Sequence, residues 1–302
     1  MAAAKKLRIA QPALSLHMRN IEDELGVKLL HRQARGVVPT EAGDRLLRRA
    51  KIVLAEFSQI QSDVTGLEAP SGEARIGLPA NITDLFGVRL IQASRSVYPD
   101  VRIRVAEGMT PSLLGWLVEG DVDIAMVYGG SIPKGLAIHH AWTEEMRVFG
   151  PRKMGLDIKA DQPITFAKTA TLPLVIPGVK RGMRDVLDAA MISSGIALEP
   201  AIEIDSYRQI KQLVEGQQAY GILPSTAIHQ EILDGRFISW PIVEPRIELK
   251  AYLSYLLSHP LSTPALALGQ LAYDVLRGMV AEGMTGVTLA PASNRPTLYE
   301  KT

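Results

Sequence analysis

Apolar residues recur at helical spacing through the first quarter of the chain and in short alternating or continuous runs after it, so a helical head precedes an α/β body. Leu14, Met18, Ile21 and Leu25 follow at steps of four, three and four. They form the buried face of a predicted helix over Gln11–Leu25, with Pro12 in the first turn, where a missing N–H costs nothing, and Gly26 as its stop. Ahead of it, Ala2–Leu7 reads as a short helix and Arg8-Ile9-Ala10 as a tight turn. Leu29–Pro39 reads as a hairpin, with Gly36 free to take a positive φ and Arg32 and Arg35 on its arms. Thr40 then caps a long helix in which Leu46, Ala50, Val53, Phe57, Ile60, Val64 and Leu67 alternate at steps of four and three, the pattern of a heptad seam. The polar remainder leaves one apolar face, which favours a second copy of the helix over its own chain. At 1.5 Å per residue, a helix of about 27 residues spans ~40 Å, enough to hold two heads apart. Gly66, Pro70, Ser71 and Gly72 end it and mark a boundary.

Beyond Gly72 the predicted elements alternate: strand Ala74–Leu78, helix Ile82–Ser96, strand Val101–Glu107, helix Pro111–Glu119 and strand Asp123–Val127. A second unit repeats the plan, with strand Leu172–Ile176, helix Arg181–Ser194, strand Ala201–Ile204, helix Ser206–Glu215 and strand Tyr220–Leu223. Strand Ile247–Leu257 and helix Thr263–Val280 follow. These are mostly parallel α/β units. After about Gly286 the chain is rich in Pro, Ser and Thr and reads as a loose tail.

Composition narrows the class. Of 302 residues, 47% are hydrophobic, enough for two or three domains. No apolar run approaches the ~18 residues that cross a bilayer, and no leader pattern opens the chain, so a cytoplasmic protein without membrane contact is expected. The absence of cysteine excludes disulfides and thiolate chemistry. Residues 1–64 carry 11 Lys+Arg against 7 Asp+Glu, and the remainder 22 against 25, so the basic end is the candidate for a polyanion. On the exposed face of the Gln11–Leu25 helix, Gln11 and Ser15 can hydrogen-bond base edges, Pro12 and Leu16 can meet thymine methyls, and Arg19 suits phosphate. A plain amphipathic surface helix accounts for this face equally well until the basic hairpin, readable as a wing along the backbone, is added.

Three ordered motifs carry a resemblance. Ala3-Ala4-x-x-Leu7-x-Ile9-Ala10-Gln11-Pro12-Ala13-Leu14-Ser15, then Ile21-Glu22-x-Glu24-Leu25-Gly26-Val27-x-Leu29-Leu30-x-Arg32, then Pro39-Thr40-Glu41-Ala42-Gly43 are similar to the DNA-binding domain of LysR-type transcriptional regulators. The resemblance covers about residues 2–285. It implies a partial winged helix-turn-helix over 1–41, lacking one helix of the family pattern ahead of Ala2, and a dimerising linker helix over 42–70. A two-lobed effector domain like periplasmic binding proteins follows, with lobe I over 71–149 and 257–286, lobe II over 150–256 and a tail over 287–302. It also implies a homodimer or homotetramer, double-stranded promoter DNA and a small-molecule effector as partners, and no cofactor. A cytoplasmic small-molecule-binding module that has lost DNA binding is the alternative. Val37-Val38-Pro39-Thr40, Gly108-Met109-Thr110 and Trp240–Pro245 resemble the nitrogen assimilation control subgroup.

In open α/β lobes, ligands sit beyond the carboxyl ends of strands, where helix N-termini present free N–H groups. Four such turns supply the candidate effector residues: Asn81 and Thr83, Met109 and Thr110, Pro177 and Gly178, and Asp205 and Ser206. The resemblance adds Tyr128 near the hinge. Helix capping is the competing role for Asn81, Thr83, Asp205 and Ser206. Lys180 and Arg181 suit an anionic metabolite or plain exposure. Gln217 and Ala219 stand where the family carries glycine. No catalytic motif is found: Ser131-x-x-Lys134 lacks its partner motifs, so an enzyme is not expected. His139 and His140, adjacent on a strand, point to opposite faces, which is poor for sharing a metal.

Overall fold

The computed structural model describes residues 4, 7–33, 36–65, 70–129, 133–154, 156–178, 183–258 and 261–291. The chain divides into two compact units, 1–61 and 62–302.

In the first unit, Ala4 and Leu7 are helical, and the Ile9 N–H donates to the Ala4 carbonyl at 3.1 Å around Arg8, whose φ is 55°. Helix α1 (Gln11–Leu25) follows, with Pro12 in its first turn and Gly26 ending it at φ 67°. Strands β1 (Leu30–Gln33) and β2 (Gly36–Pro39) pair antiparallel, Arg32 opposite Val37, and Gly36 takes φ 141°. Helix α2 (Glu41–Thr65) is capped by Thr40, whose Oγ1 accepts the Gly43 N–H at 3.0 Å. The apolar stripe of α1 corrects the sequence expectation: Leu14 and Met18 are only half-buried, and Ile21 and Leu25 are 37% and 51% exposed. So small a unit has little interior, and Leu14 and Met18 border an open groove of about 590 Å³ between α1 and the hairpin.

The second unit is built on β3 (Gly72–Leu78), α3 (Val88–Val97), β4 (Val101–Glu107), α4 (Thr110–Glu119), β5 (Ile124–Tyr128), β6 (Leu136–Gly150), β7 (Ile164–Thr165), α5 (Phe166–Thr169), β8 (Leu174–Ile176), α6 (Met183–Ser194), β9 (Ile202–Glu203), α7 (Tyr207–Glu215), β10 (Tyr220–Pro224), α8 (Ser225–Leu233), β11 (Ile238–Val243), β12 (Glu248–Leu256), α9 (Thr263–Ala281) and β13 (Val287–Leu289). A turn of α-helix, Ala80–Ile82, and a π-helical turn, Thr83–Gly87, lead into α3. The sheet runs β4-β3-β5-β12-β6-β10-β8-β9. Its two parallel groups, β4-β3-β5 and β10-β8-β9, are joined through antiparallel β12 and β6.

Strand β6 is the main crossing. Its residues Leu136–Glu145 pair with β12, and Met146–Gly150 pair with β10 and β11. One buried core runs through both halves, from Ile76, Phe86 and Trp142 to Val148, Ile176 and Trp240; a smaller cluster around Leu113, Leu117 and Val127 lies apart from it. The return to the first half is made by β12, which pairs with β5 from Ala251 onward. The stretch taken as a loose tail begins with β13, hydrogen-bonded to β6 at Trp142–Glu144, because Val287 and Ala290 find buried places; residues 292–302 lie outside the described set. Gln217, at a position expected to favour glycine, sits at φ 59°.

Candidate DNA-reading surface and effector cleft

Helix α1 turns Gln11, Pro12, Leu16 and Arg19 to solvent, with Ser15 half-buried and accepting a hydrogen bond from Gln11 Nε2 at 2.9 Å. The five expected residues therefore share one face, one helical turn apart. They bring amide and hydroxyl groups for base edges, an apolar pair and one cation. Arg32 lies in β1, but its side chain, and the whole of Arg35, fall outside the described residues.

What fixes the hairpin against α1 is Glu22, a buried carboxylate that the sequence reading quoted only as part of a motif. Its Oε1 accepts the N–H groups of Leu29 at 2.9 Å and Leu30 at 3.2 Å, and its Oε2 accepts Lys28 Nζ at 2.7 Å. The Lys28 ammonium and these N–H donors hold its carboxyl down at about 2. From the other side, Thr40 Oγ1 donates to the Lys28 carbonyl at 2.6 Å. A Cβ on Gly43 would lie 2.0 Å from the Leu29 carbonyl oxygen, so α2 approaches the hairpin as closely as backbone allows. Lys28–Leu30 is thus the point where α1, the hairpin and α2 are tied together.

Along α2, Leu46 and Ala50 are half-buried, while Val53, Phe57 and Ile60 are 65%, 65% and 58% exposed on the single chain. The side chains of Val64 and Leu67 fall outside the described residues.

In the second unit, two of the expected effector residues meet in a buried polar network. Asn81 Nδ2 donates to the Tyr128 hydroxyl, and also to Thr226 Oγ1 at 2.9 Å. The Tyr128 hydroxyl donates in turn to Glu144 Oε1 at 2.8 Å. Trp142 Nε1 donates to the same oxygen at 3.2 Å, and the Thr226 N–H donates to Oε2 at 3.0 Å. Asn81 lies in the helical turn after β3 and Tyr128 ends β5 in one half, Thr226 is in the first turn of α8 after β10 in the other, and Glu144 stands on the crossing strand. Burial pushes the Glu144 carboxyl up, and its donors oppose that. Burial and then the Glu144 charge raise both Tyr128 and Tyr207. Asn81 therefore acts as a network member and not as a helix cap.

The other candidates are placed more locally. Thr83 Oγ1 donates to the Pro79 carbonyl at 3.1 Å, Thr110 Oγ1 accepts the Tyr128 N–H at 3.2 Å, and Met109 is 57% exposed. Pro177 is buried, the Gly178 N–H donates to Asp205 Oδ1 at 3.0 Å, and Ser206 caps α7 by accepting the Gln209 N–H at 3.3 Å. Lys180 and Arg181 lie outside the described residues. Glu144 and Thr226 escaped the sequence reading; the one available signal was a pair of adjacent carboxylates, Glu144 and Glu145, in a strand flanked by apolar residues. His139 stacks on Tyr255 at 5.5 Å, whereas His140 bonds Thr143 at 3.0 Å.

A helix-turn-helix head, a long helix with an open apolar seam and a two-part α/β body with a polar junction define a ligand-responsive DNA-binding regulator. Residues 1–44 match the bacterial regulatory helix-turn-helix protein, lysR family, and residues 67–277 match the LysR substrate binding domain. The chain belongs to the LysR family of transcriptional regulators. It is similar to the nitrogen assimilation regulatory protein nac of Escherichia coli strain K12, 28% identical over 284 residues that cover 93% of this chain and 91% of the relative. It is also similar to nac of Klebsiella aerogenes, 27% identical with 91% and 89% covered. The fold is shared with a full-length OxyR variant from Pseudomonas aeruginosa, at TM-score 0.72 and 20% identity, covering 91% of this chain and 88% of the other. As a LysR-type regulator the protein acts on promoter DNA, answers to a small-molecule effector and assembles as an oligomer. The matched helix-turn-helix favours this over a binding module without a DNA reader. The family is one of transcriptional regulators and not of enzymes, and no helix among the described residues is long and apolar enough to cross a membrane.

Proposed function

We propose that α1 enters the major groove with Gln11, Pro12, Ser15 and Leu16 toward base edges and Arg19 toward phosphate, while Arg32 and Arg35 on the hairpin follow the backbone. Two copies join along Leu46, Ala50, Val53, Phe57, Ile60, Val64 and Leu67 and so set the spacing of their readers. The effector sits between the two halves of the second unit, against Asn81, Thr83, Met109, Thr110, Tyr128, Pro177, Gly178, Asp205 and Ser206, with Thr226 and Glu144 completing the set. The protein works in the cytoplasm and catalyses nothing itself. Effector binding shifts an existing balance of arrangements of the two halves, and through it the readers.

The observation that carries this reading is the Asn81–Tyr128–Glu144–Thr226 network, in which side chains from both halves converge on one buried carboxylate. The test of the reader is fluorescence anisotropy on promoter DNA across a salt series. Arg19→Ala should weaken specific and non-specific binding alike and lower the salt slope by about 1 for each reader on the DNA, or about 2 for the dimer. An unchanged slope would remove Arg19 from the phosphate contacts, and affinity insensitive to salt would refute the assigned surface.

A further inference from the structure

Three described strand-end and helix-start donors of the second unit are already taken by the chain's own acceptors. Helix N-termini and strand-end turns attract anions through their free N–H groups. Here the Thr226 N–H, at the start of α8, is held by the Glu144 carboxylate. The Gly178 N–H, in the turn after β8, is held by Asp205 Oδ1, and the Gln209 N–H, at the start of α7, by Ser206 Oγ. Two of these three acceptors are carboxylates.

Glu144 is fully buried, and each of its described partners is a donor. Because Asn81 donates to the Tyr128 oxygen, the hydroxyl proton is directed at Glu144, the arrangement that suits the ionised carboxylate. None of the described ion pairs brings a Lys or Arg to it, and Arg184, on α6, is committed to Asp188 and Glu203. Among the described residues, a ligand touching Asn81 or Tyr128 is therefore one side chain away from a carboxylate that no Lys or Arg pairs with.

We infer that this cleft selects a neutral or cationic N–H donor, an amine or amide, and rejects carboxylate and sulfate anions, with Glu144 as the specificity-determining residue and Asp205 as a secondary one. The inference rests on the effector cleft proposed above. A second negative charge ~5 Å from Glu144 at an effective dielectric near 20 loses affinity on the order of 100-fold. A protonated amine gains by the same interaction.

The test is calorimetric titration of the full-length protein with putrescine, methylammonium and acetamide on one arm and succinate, malate and sulfate on the other. The variants are Glu144→Gln, Asp205→Asn, Asn81→Ala and Thr226→Val, each checked by its ligand-free melting temperature. Wild type should bind a donor probe and none of the anions; Glu144→Gln should weaken the donor probe at least about 10-fold and admit an anion. If Glu144→Gln does not fold, Asp205→Asn, at an exposed side chain, should still raise anion affinity. An anion binding wild type and Glu144→Gln equally overturns the inference, as does the failure of every donor probe. Binding lost in Asn81→Ala and Thr226→Val but kept in Glu144→Gln leaves the cleft standing and overturns the charge assignment. Binding unchanged in all four variants refutes the cleft itself.

Discussion

Glu at both Phe57 and Ile60 should convert the protein from dimer to monomer. On the single chain Val53, Phe57 and Ile60 are 65%, 65% and 58% exposed. Full burial of such a side chain is worth about 1.5–3 kcal/mol, so covering the exposed fraction yields about 1–2 kcal/mol each, or roughly 6–12 kcal/mol for three residues on each of two helices. That gross gain meets the entropic cost of association and leaves a surplus only because the seam is continuous. The double substitution removes four of the six buried side chains, a loss of roughly 4–8 kcal/mol before any charge is counted. It also sets four carboxylates into the seam, where none has a partner. At 1.4 kcal/mol per tenfold, the dimer weakens by at least about a thousandfold. Sedimentation velocity at micromolar protein reads this directly, with Arg49→Glu, on an exposed position of the same helix, as the control that should stay dimeric. A double variant that sediments like the wild type would refute the seam.

Three further outcomes follow from the geometry. Glu22→Gln should lower DNA affinity while leaving effector binding intact, because it weakens the tie between α1 and the hairpin; the stabilising effect of the carboxylate is present above its ordinary value of 4.5 and lost as pH falls toward about 2, so anisotropy on DNA should show no pH dependence from this group near neutrality. Gly43→Ala drives a Cβ to 2.0 Å from the Leu29 carbonyl and should cost about 3 kcal/mol or more, seen as loss of the first unit's melting transition; a melting curve matching the wild type would rule out the close approach. Glu144 has its carboxyl raised by burial, so the native state holds that proton more tightly than the unfolded chain, and stability should fall as pH rises above about 4.5; Glu144→Gln should flatten this part of a urea-melt series, and an unaltered pH slope would exclude Glu144 as its source.

The reader was largely legible because its signals are local. Pro12, Gly26 and Thr40 each set a helix boundary through their own backbone chemistry, and the structure places α1 over the expected residues. The stripe of α1 was misread because periodicity reports which residues share a face and not what covers it; in a unit this small Ile21 and Leu25 stay exposed. Strand β6 was hard to read for the opposite reason. His139, His140, Glu144, Glu145 and Arg147 interrupt its apolar run, and only long-range pairing shows that they are satisfied inside: Glu144 by residues from both halves, Arg147 by Ser239, Glu145 and Asp161. Asn81 was reachable from strand-end logic, and Tyr128 from the family resemblance. Thr226 was not, since nothing in Pro224-Ser225-Thr226 distinguishes a cleft residue from a helix start.

The alternation of β6 has a consequence for how the two halves are coupled. Successive residues of a strand face opposite sides, so Trp142 and Glu144 lie on one face and Glu145 and Arg147 on the other. The first face carries the polar network with Tyr128 and Thr226. The second binds the return crossing: Glu145 Oε1 accepts Arg246 Nη2 at 2.9 Å, and Arg147 Nη1 donates to Glu145 Oε2 at 2.9 Å. Between them the backbone is fixed, with the Glu145 carbonyl accepting Ser225 Oγ at 2.9 Å and the Glu145 N–H donating to the Gly286 carbonyl at 2.8 Å. A ligand that draws Glu144 or Thr226 out of its present contacts therefore acts on a strand whose next residue anchors both crossings. Ser225 and Thr226 are likewise adjacent, one on each network. The coupling needs no chain of intermediaries: the buried polar network and the contacts that fix the crossings belong to adjacent residues of β6 and α8.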